Sequence, residues 1–169
     1  MRQLLFIVLV GFSSAIFSAS DLSLQLLNSS LKNNYSFKER SLDPNGLKIE
    51  ESSGEILFNA SGFTVLVATP FKERYEITQD LITIIDLDLN QSQTINLDDL
   101  NSIFIKALLS GINDKSPEYS VTNDQPNILA LNPADNSSAI QFIFNQDILG
   151  AIRYTDNLGV EHSIELTLL

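Results

Sequence analysis

The 169 residues contain no cysteine. That excludes disulfides, thiolate metal sites, cysteine nucleophiles and a lipid-modified N-terminal cysteine. There is one histidine, His162, so a multi-histidine metal centre has no second imidazole. Positive charge is scarce: 10 Lys+Arg stand against 21 Asp+Glu, a formal net charge of −11. A surface that negative repels phosphate backbones and argues against nucleic-acid partners. The chain has no Gly-x-Ser-x-Gly elbow and no phosphate loop, so no catalytic residue, cofactor or enzymatic activity is expected. Beyond the first 20 residues, no run approaches the roughly 20 apolar residues of a bilayer-spanning helix.

The first 20 residues read as a secretory signal peptide. Arg2 supplies the positive end and Leu4-Leu5-Phe6-Ile7-Val8-Leu9-Val10 begins the apolar region. Ser18-Ala19-Ser20 puts small residues where a signal peptidase needs them, for cleavage between Ser20 and Asp21. The expected domain is 21–169. Export of a chain without cysteine suits a bacterial periplasm, where folding need not rely on disulfides.

The whole chain of 169 residues is 44% hydrophobic and 18% charged, which suits one globular domain. Asp21 is placed to cap a helix over about 22–33, with Leu24, Leu27 and Leu31 on one stripe. Leu22 and Leu26 fall on another side, so this helix wants apolar neighbours on both. Alternating segments follow at 35–42, 47–59, 62–69, 73–78, 81–87 and 91–97. Asp98-Asp99 is expected to open a second helix with the stripe Leu100, Ile103, Phe104, Ala107 and Leu108, ended by Gly111. Five more short strands are read at 119–123, 127–131, 139–145, 149–155 and 161–168. So many closely spaced strands predict a mainly β (α+β) domain built on one strongly curved antiparallel sheet.

Two smaller constellations have plain readings. Alternation over 160–168 puts His162 beside Ile164 and Leu166 on the apolar side near a turn, as a rim or structural residue. Asp86-Leu87-Asp88-Leu89-Asn90 offers the first oxygens of a calcium loop. Gln91 stands where glycine is required and Leu97 where the bidentate carboxylate should be, so a hairpin turn is expected.

The order of elements resembles the periplasmic outer-membrane lipoprotein carrier family, LolA. The most specific stretch is Gly54-Glu55-Ile56-Leu57-Phe58, leading through Phe63 to Thr69-Pro70. Leu87-Asp88-Leu89-Asn90-Gln91, Asn132-Pro133 and Asp156-Asn157-Leu158-Gly159 resemble further turns of that family. The resemblance implies an incomplete, half-open β-barrel with the N-terminal and middle helices as a lid. It implies a monomeric chaperone that takes triacylated lipoproteins from an inner-membrane lipoprotein-releasing ABC transporter to an outer-membrane lipoprotein receptor. The receptor role itself is excluded by the lack of cysteine. Asn59-Ala60-Ser61 stands where the family has its lid-holding arginine, and Val65 where it has a tryptophan. The chain ends at Leu169, short of the family's usual C-terminal segment.

A half-open sheet with an apolar concave face must cover that face or bind something there. Acyl chains suit such a cleft, at about 0.8 kcal/mol for each buried CH₂. The expected lining is Phe63, Val65, Val67, Tyr75, Ile77, Ile82, Ile84, Phe142 and Phe144. The expected lid is Leu24, Leu27 and Leu31 on the first helix, with Ile103, Phe104 and Leu108 on the second. Phe63 is placed at the rim, so that Phe63→Glu would hinder loading. The alternative reading is a periplasmic lipid- or protein-binding or sensor module of the same fold, which docks a partner instead of carrying cargo.

Overall fold

A computed structural model of the chain describes residues 24–100, 102–135 and 137–169. The expected signal segment, the Ser20–Asp21 cleavage point, the Asp21 cap and Leu22 lie outside the described residues.

Helix α1 (Leu24–Ser30) is followed by six strands: β1 (Tyr35–Asp43), β2 (Lys48–Asn59), β3 (Gly62–Thr69), β4 (Glu73–Thr78), β5 (Leu81–Asp86) and β6 (Gln91–Asn96). A 3-10 turn (Leu97–Leu100) leads to helix α2 (Ile103–Ser110). Five strands complete the chain: β7 (Tyr119–Gln125), β8 (Ile128–Pro133), β9 (Ile140–Asn145), β10 (Ile148–Thr155) and β11 (Glu161–Leu168). All eleven form one sheet in the order β6-β5-β4-β3-β2-β1-β11-β10-β9-β8-β7. Every pairing is antiparallel. β6 and β7 are free edges, so the barrel is incomplete, as expected. Among the described residues, the only pairing not made between consecutive strands is β1 with β11, which joins the two halves.

Local sequence accounts for the turns. Asp43 Oδ1 accepts the Asn45 N–H at 2.9 Å, which tightens the Asp43-Pro44-Asn45-Gly46 turn. Asp86 Oδ1 accepts from the N–H groups of Asp88 and Leu89 at 2.9 and 2.8 Å. The calcium-like acid of that segment therefore closes a hairpin. Helix α2 starts later than Asp98-Asp99 predicts. Those acids lie in the 3-10 turn, and Ser102 is the cap, its Oγ accepting the Ile105 N–H at 3.3 Å. A hydroxyl next to the first helical residue reaches that donor where the acids do not. Gly111 ends α2 with φ 80°, a left-handed conformation that favours glycine.

The period-two pattern divides the sheet cleanly. Register aligns Tyr35 and Phe37 with Ile56 and Gly54 on one side and with Leu168 and Leu166 on the other. Ile56 in turn faces Val65, and Val65 faces Tyr75. These residues share the face that the helices cover.

Candidate functional site

The helix-covered face carries two apolar clusters. The larger one holds buried Leu27, Leu31, Phe142 and Phe144, with Leu24, Val65, Val67, Ile103, Phe104 and Leu108 packed against it. The smaller one is built on Phe63, Ile77 and Ile82 together with Leu97, and Tyr75, Ile84, Ile105 and Leu109 pack around it. All fifteen residues expected to form lining or lid therefore lie on this one face. They divide between the two clusters. Phe63, Tyr75, Ile77, Ile82 and Ile84 belong to the smaller one, whereas Val67, Phe142 and Phe144 belong to the larger. Ile56, Val65 and Leu108 touch both clusters and join them.

Phe63 corrects its expected place. It is buried in the smaller cluster, with its ring 5.3 Å from Phe58, and not at a rim. Residues such as Leu131, Leu149 and Ile152 belong to the same face. Period-two spacing carried the signal for Leu129 and Leu131 in β8, but a bulge between Leu149 and Ala151 breaks it in β10, and an apolar strand residue by itself does not say which face the helices take.

The two helices are tied to each other by polar contacts. Asn28 Nδ2 donates to the Ile112 carbonyl at 2.8 Å, and its Oδ1 accepts the Ile112 N–H at 2.7 Å. Tyr35 donates its hydroxyl to the Ser30 carbonyl at 2.8 Å, which holds the end of α1 to the start of β1. On α2, the Phe104 ring lies 5.5 Å from Tyr154 and 6.4 Å from Phe142. Asn59-Ala60-Ser61 takes no part in these ties. Asn59 Oδ1 accepts from Ser61 within its own turn.

The far end of the same face is polar. Glu39 and Ser52 face each other across β1 and β2, and the Ser52 hydroxyl donates to Glu39 Oε2 at 2.9 Å. Glu39 Oε1 lies 2.8 Å from His162 Nδ1, and Asp156 Oδ2 lies 3.6 Å from Nε2. Tyr154 stacks on the imidazole at 4.6 Å between centroids. Burial, with the nearby Glu39 and Asp156 charges, pushes the Tyr154 phenol up to about 12. Tyr75 reaches about 12 as well, through burial and through donating to Glu73 Oε2 at 2.6 Å. Asp156 is held below the usual carboxylate range. Burial works against this, but the Val160 and Leu158 N–H groups and His162 outweigh it. Both imidazole nitrogens thus face carboxylates, an arrangement that fixes the ring and does not aim it at a hydroxyl nucleophile. No group of three or more His, Cys, Asp or Glu among the described residues is placed to hold a metal ion.

Two open grooves lie on the opposite, outer face. One of about 640 Å³ runs over Gly54 between Lys38, Leu66 and Glu165. The other, of about 530 Å³, runs between Arg40, Gln141 and Arg153. No helix among the described residues is long and apolar enough to cross a membrane.

No protein-family model matches the chain, and no curated protein matches it. Among solved structures it is similar to the crystal structure of a LolA superfamily protein from Nitrosomonas europaea. The two are 12% identical, the match covers 84% of this chain and 89% of that one, and the TM-score is 0.48. The functional reading therefore rests on this chain's own residues.

Proposed function

We propose that this protein binds acyl chains between its sheet and its two helices, as a periplasmic carrier of triacylated lipoproteins. The observation that carries the reading is the cover over the apolar face. Helix α1, of 7 residues, lies over the larger cluster through Leu24 and Leu27, and α2, of 8, reaches the larger through Ile103 and Phe104 and both through Leu108. Isolated helices that short are marginal in water, so their order depends on the face below. Moving them aside would expose a long apolar strip, and acyl chains are chemically suited to replace the helix side chains there. The acidic and hydroxyl-bearing end beside Glu39, Ser52 and His162 would then meet the polar part of the cargo. The resemblance of Gly54–Phe58 and Thr69-Pro70 to the lipoprotein carriers supports the same reading. Its partners would be the inner-membrane lipoprotein-releasing ABC transporter and the outer-membrane lipoprotein receptor. No chemical step is assigned to it.

The test is a loading assay. The chain from Asp21 onward is mixed with vesicles holding a triacylated lipoprotein and the transporter, and ATP is added. A soluble one-to-one complex is the expected result. Absence of a complex, with the transporter active on a standard carrier, would overturn the reading. One observation favours the second reading, a module that docks a protein and stays closed. Phe104 is packed between Phe142 and Tyr154, so helix side chains already occupy the larger cluster. Retained binding of a protein partner after α2 is cross-linked to the sheet would select it.

A further inference from the structure

Antiparallel order places the turns after β1, β3, β5, β8 and β10 at the same end of the sheet. All but the turn after β8 carry large apolar side chains out into solvent. Leu47 is 86% exposed, Leu158 74%, Phe71 70% and Leu89 66%, and Ile49 and Leu87 are exposed beside them. The tips are neighbours: the Leu87 N–H donates to the Lys72 carbonyl at 2.9 Å, and Gly159 faces the Asn45 amide. The opposite end differs in its turns. Ala60-Ser61, Gln79-Asp80, Pro126-Asn127 and Gln146-Asp147 hold no large apolar residue. Exposed Leu81, Ile148, Leu168 and Leu169 lie at strand ends there, beside the turns and not at their tips. One rim thus carries its apolar side chains at the turn apexes, and the other does not.

We propose that the rim formed by Leu47, Ile49, Phe71, Leu87, Leu89 and Leu158 docks on the interface of a zwitterionic lipid bilayer. Three features fit a lipid surface. The apolar groups stand on separate convex turns, so a fluid surface can receive each without matched pockets. The turn backbones are satisfied from within, which lowers the cost of leaving water. Asp43 takes the Asn45 N–H, Asp86 those of Asp88 and Leu89, and Asp156 those of Leu158 and Val160, at 2.8–2.9 Å. Phe71 follows Pro70 at a turn, and an aromatic ring is well suited to the interfacial zone. Charge decides which lipid. The tips keep their carboxylates and the chain has a net charge of −11, so an anionic surface repels it and a zwitterionic one does not. Docking does not require that an acyl chain enter beneath the helices, so this inference stands apart from the carrier reading.

The lack of native cysteine makes single-site labelling clean. In the full chain, Leu47→Cys, Phe71→Cys, Leu158→Cys and, at the opposite end, Ser61→Cys each receive a polarity-sensitive fluorophore. Phosphatidylcholine vesicles are then added. Emission at the three rim positions should rise by about twofold or more with a blue shift, and the Ser61 label should stay constant. Mixing phosphatidylglycerol into the vesicles should weaken the response at low salt, and added salt should restore it. The triple variant Leu47→Ser/Phe71→Ser/Leu158→Ser should lose roughly tenfold or more in vesicle binding. Silent rim labels would overturn the proposal and leave the rim to a protein partner. Equal responses at both ends, or binding unchanged in the triple variant, would overturn it as well, since contact would then lie elsewhere, as on the N-terminal segment. Loading of a lipoprotein is read separately, so either idea can fail alone.

Discussion

Asn28 and Ile112 lie 84 positions apart and exchange two hydrogen bonds, one in each direction between a side-chain amide and a backbone. The contact binds α1 to the residue that follows the Gly111 cap of α2. The two helices are therefore fastened to each other as well as to the sheet. Asn28→Ala removes both bonds and leaves the Ile112 groups to find water. The expected cost is about 1–3 kcal/mol in urea unfolding, with faster hydrogen exchange in α1. Asn28→Asp keeps the acceptor alone and should fall between. Unchanged exchange in α1 would show that the apolar contacts hold it without this tie.

The larger cluster should answer to truncation as a packed core does. Phe142 is fully buried and faces Leu129 and Ile152 across its neighbouring strands. Phe142→Ala should cost about 3–5 kcal/mol. Acyl-chain binding in the emptied space would reduce that loss, so unfolding midpoints with and without a fatty acid measure both effects. A midpoint within error of the parent protein would contradict the packing described.

Three raised phenols set an alkaline limit. Burial lifts Tyr35, and Tyr75 and Tyr154 reach about 12 against the ordinary 10.0, so the folded state holds these protons more tightly than the unfolded one. The stability they contribute is fully present below pH 10 and is lost as pH rises toward 12. An ultraviolet titration should show Tyr35, Tyr75 and Tyr154 ionising late, and Tyr154→Phe should remove one late phenol. A titration with no late-ionising phenol would refute the burial and the Glu73 contact.

Gly54 marks the bulge between β2 and β3. A methyl group there would come 1.8 Å from the Leu66 carbonyl oxygen and 2.9 Å from the Phe37 ring. Gly54→Ala must shift the β3 backbone, at about 1–3 kcal/mol. Gly150→Ala is the control, since its nearest contact would be 3.8 Å. Its melting temperature should stay close to the parent value, and equal losses in both would remove the argument.

The amino-acid sequence by itself determined most strands, because alternation of polar and apolar residues in strands such as β3, β8, β9 and β11 repeats the period of an extended chain whatever surrounds it. It determined the turns too, since Asp43, Asp86 and Asp156 bond backbone groups only two to four residues away. It also marked fifteen residues of the covered face, but not Leu131, Leu149 or Ile152, which share it. Tertiary structure alone decided how those residues are divided. Phe63 and Phe142 look alike along the chain, yet they end in different clusters, on strands β3 and β9 that strand order sets far apart in the sheet. It alone paired Asn28 with Ile112 and His162 with Glu39, whose sequence separation of 123 leaves no local trace. It alone gathered Leu47, Phe71, Leu89 and Leu158 on one rim, because a turn's place at the sheet's end depends on strand order, which local periodicity does not encode.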